Sequence, residues 1–292
     1  MSAPFVSRTT TGIQLIVLAA FCFAALDTST KHATGLAPVL MLLWFRYAFQ
    51  AVVTAMLRLP VEGLAFFKTR NPRFQLLRGL LLLVTSACSF LGLQYLPVGE
   101  FTAMAMVTPL AVVAFSAWFF RAHVSRLRWL LMGVGFAGVL LVARPGGHVF
   151  SWAVLFPATL VLAYAGFQLL TGRLSLEENP YTTQFYTGLV GAGVMSLVVV
   201  FAWDTSALLA HWPWFLLLGL LGTFGHLMLI RAYRHASAAV LTPYLYTQIA
   251  FATGAGWLFM NHVPDALTWT GIVLVAACGI GNSIIAARST AV

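Results

Sequence analysis

Acidic side chains are scarce in this chain: seven Asp and Glu stand against sixteen Lys and Arg in 292 residues, and charged residues make up only 8%. Soluble domains carry roughly a quarter, so a soluble globular fold is excluded. The shortage also counts against an enzyme, because hydrolysis or group transfer normally needs several convergent polar groups. No Gly-x-Ser-x-Gly, His-Glu-x-x-His or phosphate-loop motif occurs. Cys22, Cys88 and Cys278 lie far apart, each inside an apolar run, with no spacing that suggests a metal or redox pair. They read as reduced, buried thiols, and no cofactor is expected. Long polar segments are missing too, so nothing is available to bind nucleic acid despite a net charge of +9.

What is present is apolar: 61% of residues are hydrophobic and mean hydropathy is +0.92. Windows of about 20 apolar residues, the length that crosses a bilayer core, predict ten spans. These are 13 to 33, 36 to 59, 74 to 96, 99 to 120, 127 to 143, 151 to 172, 182 to 203, 212 to 233, 237 to 259 and 267 to 286. The first contains Asp27 and is followed by no small-residue cleavage site, so it reads as a span and not as a removed signal. With the N-terminus inside, Arg58, Lys68, Arg70, Arg73, Arg78, Arg126 and Arg128 share one side, whereas the other keeps Lys31 and Arg144. The positive-inside bias then places both termini in the cytoplasm and requires an even number of spans.

An internal repeat accounts for that number. Phe120, His123 and Val124 recur as Phe259, His262 and Val263, and Gly133 and Gly271 open the last span of each half. Tyr95 lies 28 residues before His123, and Tyr233 lies 29 before His262. Five spans per repeat is an odd number, so the second half enters from the opposite side. The expected fold is an all-α polytopic membrane protein whose ten transmembrane helices form two inverted five-helix repeats, residues 1–146 and 147–292. Inverted repeats of this kind are typical of secondary transporters, with the substrate site near the midplane.

The stretch from Ser237 to Ala250 is apolar enough for a membrane yet carries Pro243, Tyr244, Tyr246 and Gln248. A proline at membrane depth frees the carbonyl four residues earlier, and such breaks are tolerated where they line a cavity or a neighbour satisfies them. Pro109 in the fourth span is the nearest counterpart and frees the carbonyl of Ala105. Asp27 and Lys31 stand at i and i+4 and can pair, while Arg46 is a further charge well inside the second span. Substrate contacts and a structural ion pair both explain them. Tyr164 and Gln168, again i and i+4, read as cavity lining. His226, among Gly219, Gly222 and Gly225, is either a hydrogen-bonded packing residue or a ligand contact. Ser86 and Ser89 can bond back to their own helix and carry little information.

With TPLAVVAFSAWFF in span four and GWLFMNHVPDALTWTGIVLV running from span nine into ten, the chain resembles the EamA family of the drug/metabolite transporter superfamily over nearly its whole length. The resemblance implies export of small metabolites, amino acids among them, through a cavity formed by spans one, three, four, six, eight and nine. The family's proline in span four corresponds to Pro109. Where its members commonly carry glutamate at the ends of spans four and nine, this sequence has His123 and His262. The expectation is a secondary or facilitated exporter of the bacterial inner membrane, taking aromatic or neutral amino acids. Asp27, Tyr164, Gln168, His226, Tyr244, Tyr246 and Gln248 would contact substrate, with Pro109 and Pro243 as helix breaks. A channel and an intramembrane enzyme are the rival readings, and a homodimer is compatible with the sequence.

Overall fold

The computed structural model describes residues 3–119, 125–143, 152–236, 241 and 244–289, and among these the chain is helical throughout. The helices are α1 (Ala3–Ala33), α2 (Val39–Glu62), α3 (Pro72–Tyr95), α4 (Val98–Ala105), α5 (Thr108–Phe119), α6 (Arg126–Ala143), α7 (Leu155–Glu177), α8 (Pro180–Val198), α9 (Thr205–His235), α10 (Thr247–Met260) and α11 (Ala266–Ser289). With α4 and α5 counted as one broken span, they occupy the ten expected places in order. Seven of the helical segments are long and apolar enough on their own to cross a membrane. Large side chains stay on the outer surface, such as Trp118, Leu176 and Phe201 at 78%, 82% and 86% exposure. Lipid is the solvent that tolerates that surface.

Several boundaries follow from local chemistry. Helix α2 ends at Gly63, whose φ of 58° lies in the left-handed region glycine enters at no steric cost. Helix α9 begins seven residues before the expected span because Asp204 caps it, its Oδ1 accepting from the Ala207 amide at 3.0 Å. It also bends at His211, which is non-helical two residues before Pro213. Span four is interrupted between Ala105 and Thr108, and the carbonyl that Pro109 orphans is recovered: Thr108 Oγ1 donates to Ala105 O at 2.7 Å. The described part of span nine carries a similar device, Thr247 Oγ1 donating to Tyr244 O at 2.6 Å. Pro243 and His123, with the first copy of the Phe-His-Val anchor, lie outside the described residues.

Packing exposes the duplication more clearly than sequence identity does. The most extensive helix pairings are α1 with α9, α6 with α11, α2 with α8, and α3 with α7. In span numbers these are 1 with 8, 5 with 10, 2 with 7 and 3 with 6. A shift of five turns the set into itself, and each pairing joins one helix from each half of the sequence. Close approach is bought by glycine where it is needed: Gly138 of α6 and Gly271 of α11 face each other so tightly that a Cβ on either would meet the other's carbonyl oxygen at 2.9 and 2.6 Å. Gly133, Gly135 and Gly138 stand in Gly-x-Gly-x-x-Gly order, but inside a helix, where the last two seat α6 on α11 and form no phosphate loop.

The buried apolar residues form two clusters. One unites α1, α2, α3, α7, α8 and α9 around Met41, Tyr47, Phe90, Phe167 and Phe215. The other unites α4, α6, α10 and α11 around Phe101, Met104, Ile249 and Val275, with the ends of α1, α3 and α7 against it.

Candidate functional site

Where the two clusters meet there is a cavity of about 80 Å³ whose walls carry the polar groups. Phe23, Asp27, Arg46, Ser86, Ser89 and Phe90 come from α1, α2 and α3; Phe101 and Ala105 from α4; Leu160 and Tyr164 from α7; His226 from α9; and Gln248 from α10. At this volume it holds about two or three waters.

One wall is anionic. Partly buried Asp27 accepts from Ser89 Oγ at Oδ1 and from Gln248 Nε2 at Oδ2, both at 3.2 Å. The other is cationic. Arg46, 2% exposed, donates from Nη1 to Ser86 Oγ at 2.6 Å and from Nη2 to His226 Nε2 at 3.0 Å. A guanidinium has only donors, so Nε2 is the acceptor and His226 carries its proton on Nδ1, a buried atom with no partner. The His226 ring is held between Phe23 and Phe167, at centroid distances of 4.8 and 5.8 Å. The Tyr47 hydroxyl donates to Leu82 O at 2.9 Å and lies 2.8 Å from Ser86 Oγ, fixing the serine that receives Arg46.

A second guanidinium lies deeper. Arg78 is fully buried between α3, α7 and α8, donating from Nε to Thr171 Oγ1 at 2.9 Å and from Nη1 to Thr187 Oγ1, with Thr183 O at 3.4 Å. Its guanidinium carbon stands 4.4 Å from the centre of the Phe167 ring, and Phe167 stacks on Tyr164 at 5.4 Å. One aromatic layer therefore separates Arg78 from the cavity wall.

Of the residues expected to contact substrate, Asp27, Tyr164, His226 and Gln248 are brought together here. Three are not. Gln168 stands one turn along α7 from Tyr164 and does not line the cavity, Tyr244 packs partly buried against the first apolar cluster, and Tyr246 turns its ring onto Gly279 of α11. The Asp27–Lys31 pair also does not form: Lys31 Nζ instead donates to the carbonyls of Leu96 at 3.0 Å and Gln94 at 3.5 Å, closing the end of α3. Ser86 and Ser89, which can bond back to their own helix, are instead the partners of Arg46 and Asp27. Arg78, counted with the loop charges, is inside. The signal for all three was the spacing of Gln75, Arg78, Ser86 and Ser89 along one face of α3.

His262 pairs across the halves with buried Glu100 of α4, Nε2 to Oε1 at 3.3 Å. A larger groove of about 780 Å³ between α1, α9 and α10 is almost wholly apolar and is rimmed by exposed Phe21, Leu258 and Phe259. It is a lipid-facing crevice, with none of the charged groups of the inner cavity.

The EamA-like transporter family matches the sequence twice, over residues 10–144 and 151–281. The pseudopaline exporter of Pseudomonas aeruginosa strain UCBPP-PA14 is 29% identical over 270 residues, covering 91% of this chain and 94% of that protein. A riboflavin transporter of Rhizobium johnstonii is 29% identical over 279 residues (94% and 91%). An S-adenosylmethionine uptake transporter of Rickettsia bellii is 25% identical over 270 residues (90% of each). One crystal structure superposes with a TM-score of 0.67 over 97% of this chain and 98% of its own, at 18% identity, a likeness of fold alone.

Proposed function

We propose that this chain, which belongs to the EamA-like transporter family, exports small metabolites carrying an amino-acid group across a bacterial inner membrane by alternating access. That it is a multi-pass membrane transporter of small metabolites and not an enzyme is common to the family and its relatives. The finer reading rests on one observation: at the junction of two apolar cores, a carboxylate and a guanidinium face one cavity from different helices. Asp27 suits a substrate ammonium group and Arg46 a carboxylate, while Phe23, Phe101 and Tyr164 supply apolar contact. Aromatic content no longer argues for aromatic substrates, since much of it is in ring clusters away from the cavity, as with Phe66, Phe67 and Phe185.

The distribution of Lys and Arg supports a cytoplasmic position for both termini. The repeats, divided between residues 146 and 147, interleave, so the moving parts in this reading are not the halves of the sequence. One body is α1–α3 with α7–α9; the other is α4–α6 with α10 and α11. Rocking of one on the other opens the cavity first to one face and then to the other. Purified protein in liposomes should show saturable counterflow of a preloaded amino acid. Conductance without saturation, or chemical conversion of the solute, would sink the proposal in favour of a channel or an enzyme.

A further inference from the structure

We propose that the cavity selects substrates of net negative charge, amino-acid derivatives with one carboxylate more than they have amines. This rests on the transporter reading above and narrows its substrate class. The argument is a charge count over the bundle interior. Two guanidinium groups are buried to 2% and 0% exposure, Arg46 in the cavity wall and Arg78 one aromatic layer behind it, and one carboxylate, Asp27, shares the cavity with Arg46. The other two buried carboxylates are engaged elsewhere. Glu100 pairs with His262, and Glu178 Oε1 accepts from the Arg70 and Asn71 amides, Thr69 Oγ1 and Asn71 Nδ2 where the α2–α3 connection meets the α7–α8 turn. Among the described residues no carboxylate lies within ion-pair distance of either arginine.

Neutral partners replace it: Ser86 and His226 for Arg46, and threonine oxygens and the Phe167 face for Arg78. They leave donors over. Arg46 Nε, Arg78 Nη2 and His226 Nδ1 are buried without an acceptor, and buried unpaired cations are costly in a membrane interior. A packing role alone would be served by a buried acid, as it is at Glu100 and His262. A site that must release its anion has a reason to hold the cations with weaker, neutral partners. The placement also gives the anion somewhere to go: Ser86, which holds Arg46, and Arg78 lie eight positions apart on α3, about 12 Å along the helix.

Matched pairs test this directly: L-glutamate with L-glutamine and L-aspartate with L-asparagine, each competing for counterflow in proteoliposomes of the full chain, with glutarate alongside. The acid of each pair should be preferred by about tenfold or more, the ratio one partly screened charge contact supports. Arg46→Gln, and independently Arg78→Gln, should bring acid and amide level, whereas Arg78→Lys should keep the preference. Asp27→Asn should favour glutarate over glutamate. Amides transported as well as or better than acids by the unaltered protein would overturn the charge inference and leave amino-acid transport standing. No counterflow with any of these solutes would overturn both. Either Gln variant suffices if the other does not fold, and the unaltered protein decides the matter if neither does.

Discussion

Gly222 should be the least replaceable glycine of α9, because it is where Arg46 passes. A Cβ there would lie 2.6 Å from Arg46 Nε and 3.3 Å from its Cδ. An arginine tip can usually swing aside, but this one is held at Ser86 and His226, and Nε is in the middle of the side chain. Alanine gains about 1 kcal/mol of helix propensity over glycine. Losing one charge-assisted hydrogen bond costs about 1.5–3 kcal/mol, and residual crowding adds about 1–3 kcal/mol. The balance is a destabilisation of about 1.5–5 kcal/mol, read as a lowered thermal midpoint in detergent with counterflow lost in parallel. Gly193 of α8 is the control: nothing lies within 4 Å of its added Cβ, so Gly193→Ala should be neutral or slightly stabilising by the same propensity term. If Gly222→Ala unfolds at or above the unaltered protein and transports normally, Arg46 is not held as described.

Removing the hydroxyl that rescues span four, Thr108→Ala, leaves Ala105 O unpaired beside Pro109 and should cost about 1–3 kcal/mol; Pro109→Ala restores the missing donor and should raise the thermal midpoint while slowing counterflow. Lys31→Met should lower the midpoint modestly without altering substrate competition, since Lys31 closes the end of α3 and does not reach the cavity; a changed competition profile would place it in the pathway. Asp204 is held below the ordinary carboxylate range by the Ser206 hydroxyl and the Ala207 amide. Its cap therefore contributes stability above the unfolded-state pKa and loses it as pH falls through the lower folded value, so Asp204→Asn should flatten the acid side of the stability profile, measured as thermal midpoint against pH.

The spans were legible because lipid leaves a chain no alternative to satisfied helices, and Pro109 announced the break in span four. Asp27, Tyr164, His226 and Gln248 could be found as polar groups deep in apolar runs. Tyr244, Tyr246 and Gln248 could not all face one cavity, however. Residues two apart on a helix point to nearly opposite sides, and that spacing already argued for choosing between Tyr246 and Gln248. Arg78 was hidden for a different reason. It sits in the second turn of α3, directly after Arg70 and Arg73, and nothing local separates a loop arginine that sees water from one that packing with α7 and α8 draws inside. Ser86 and Ser89 were obscured by the helix itself, which offers each hydroxyl a partner at home until a neighbouring helix supplies a charged one.

The interleaving of the repeats leads to a test that sequence halves alone would decide the other way. Gly135 of α6 and Cys278 of α11 belong to different halves but to one proposed body, and a Cβ on Gly135 would stand 3.3 Å from Cys278 Cβ, close to the spacing of a disulfide. Leu110 Cδ1, at 2.7 Å from that Cβ, is a flexible tip that can yield. Gly99 of α4 and Thr253 of α10 offer a second such pair, at 3.6 Å from the added Cβ to Thr253 Cβ. With Cys22 and Cys88 replaced by alanine, Gly135→Cys oxidised onto Cys278 should leave counterflow near its reduced level, and so should the doubly substituted Gly99→Cys, Thr253→Cys chain with Cys278 also removed. Each bridge ties residues that move together. If the repeats instead rock as rigid sequence halves, both bridges span the moving boundary, and oxidation should stop counterflow until a reductant restores it. That result would overturn the assignment of bodies, whatever the substrate proves to be.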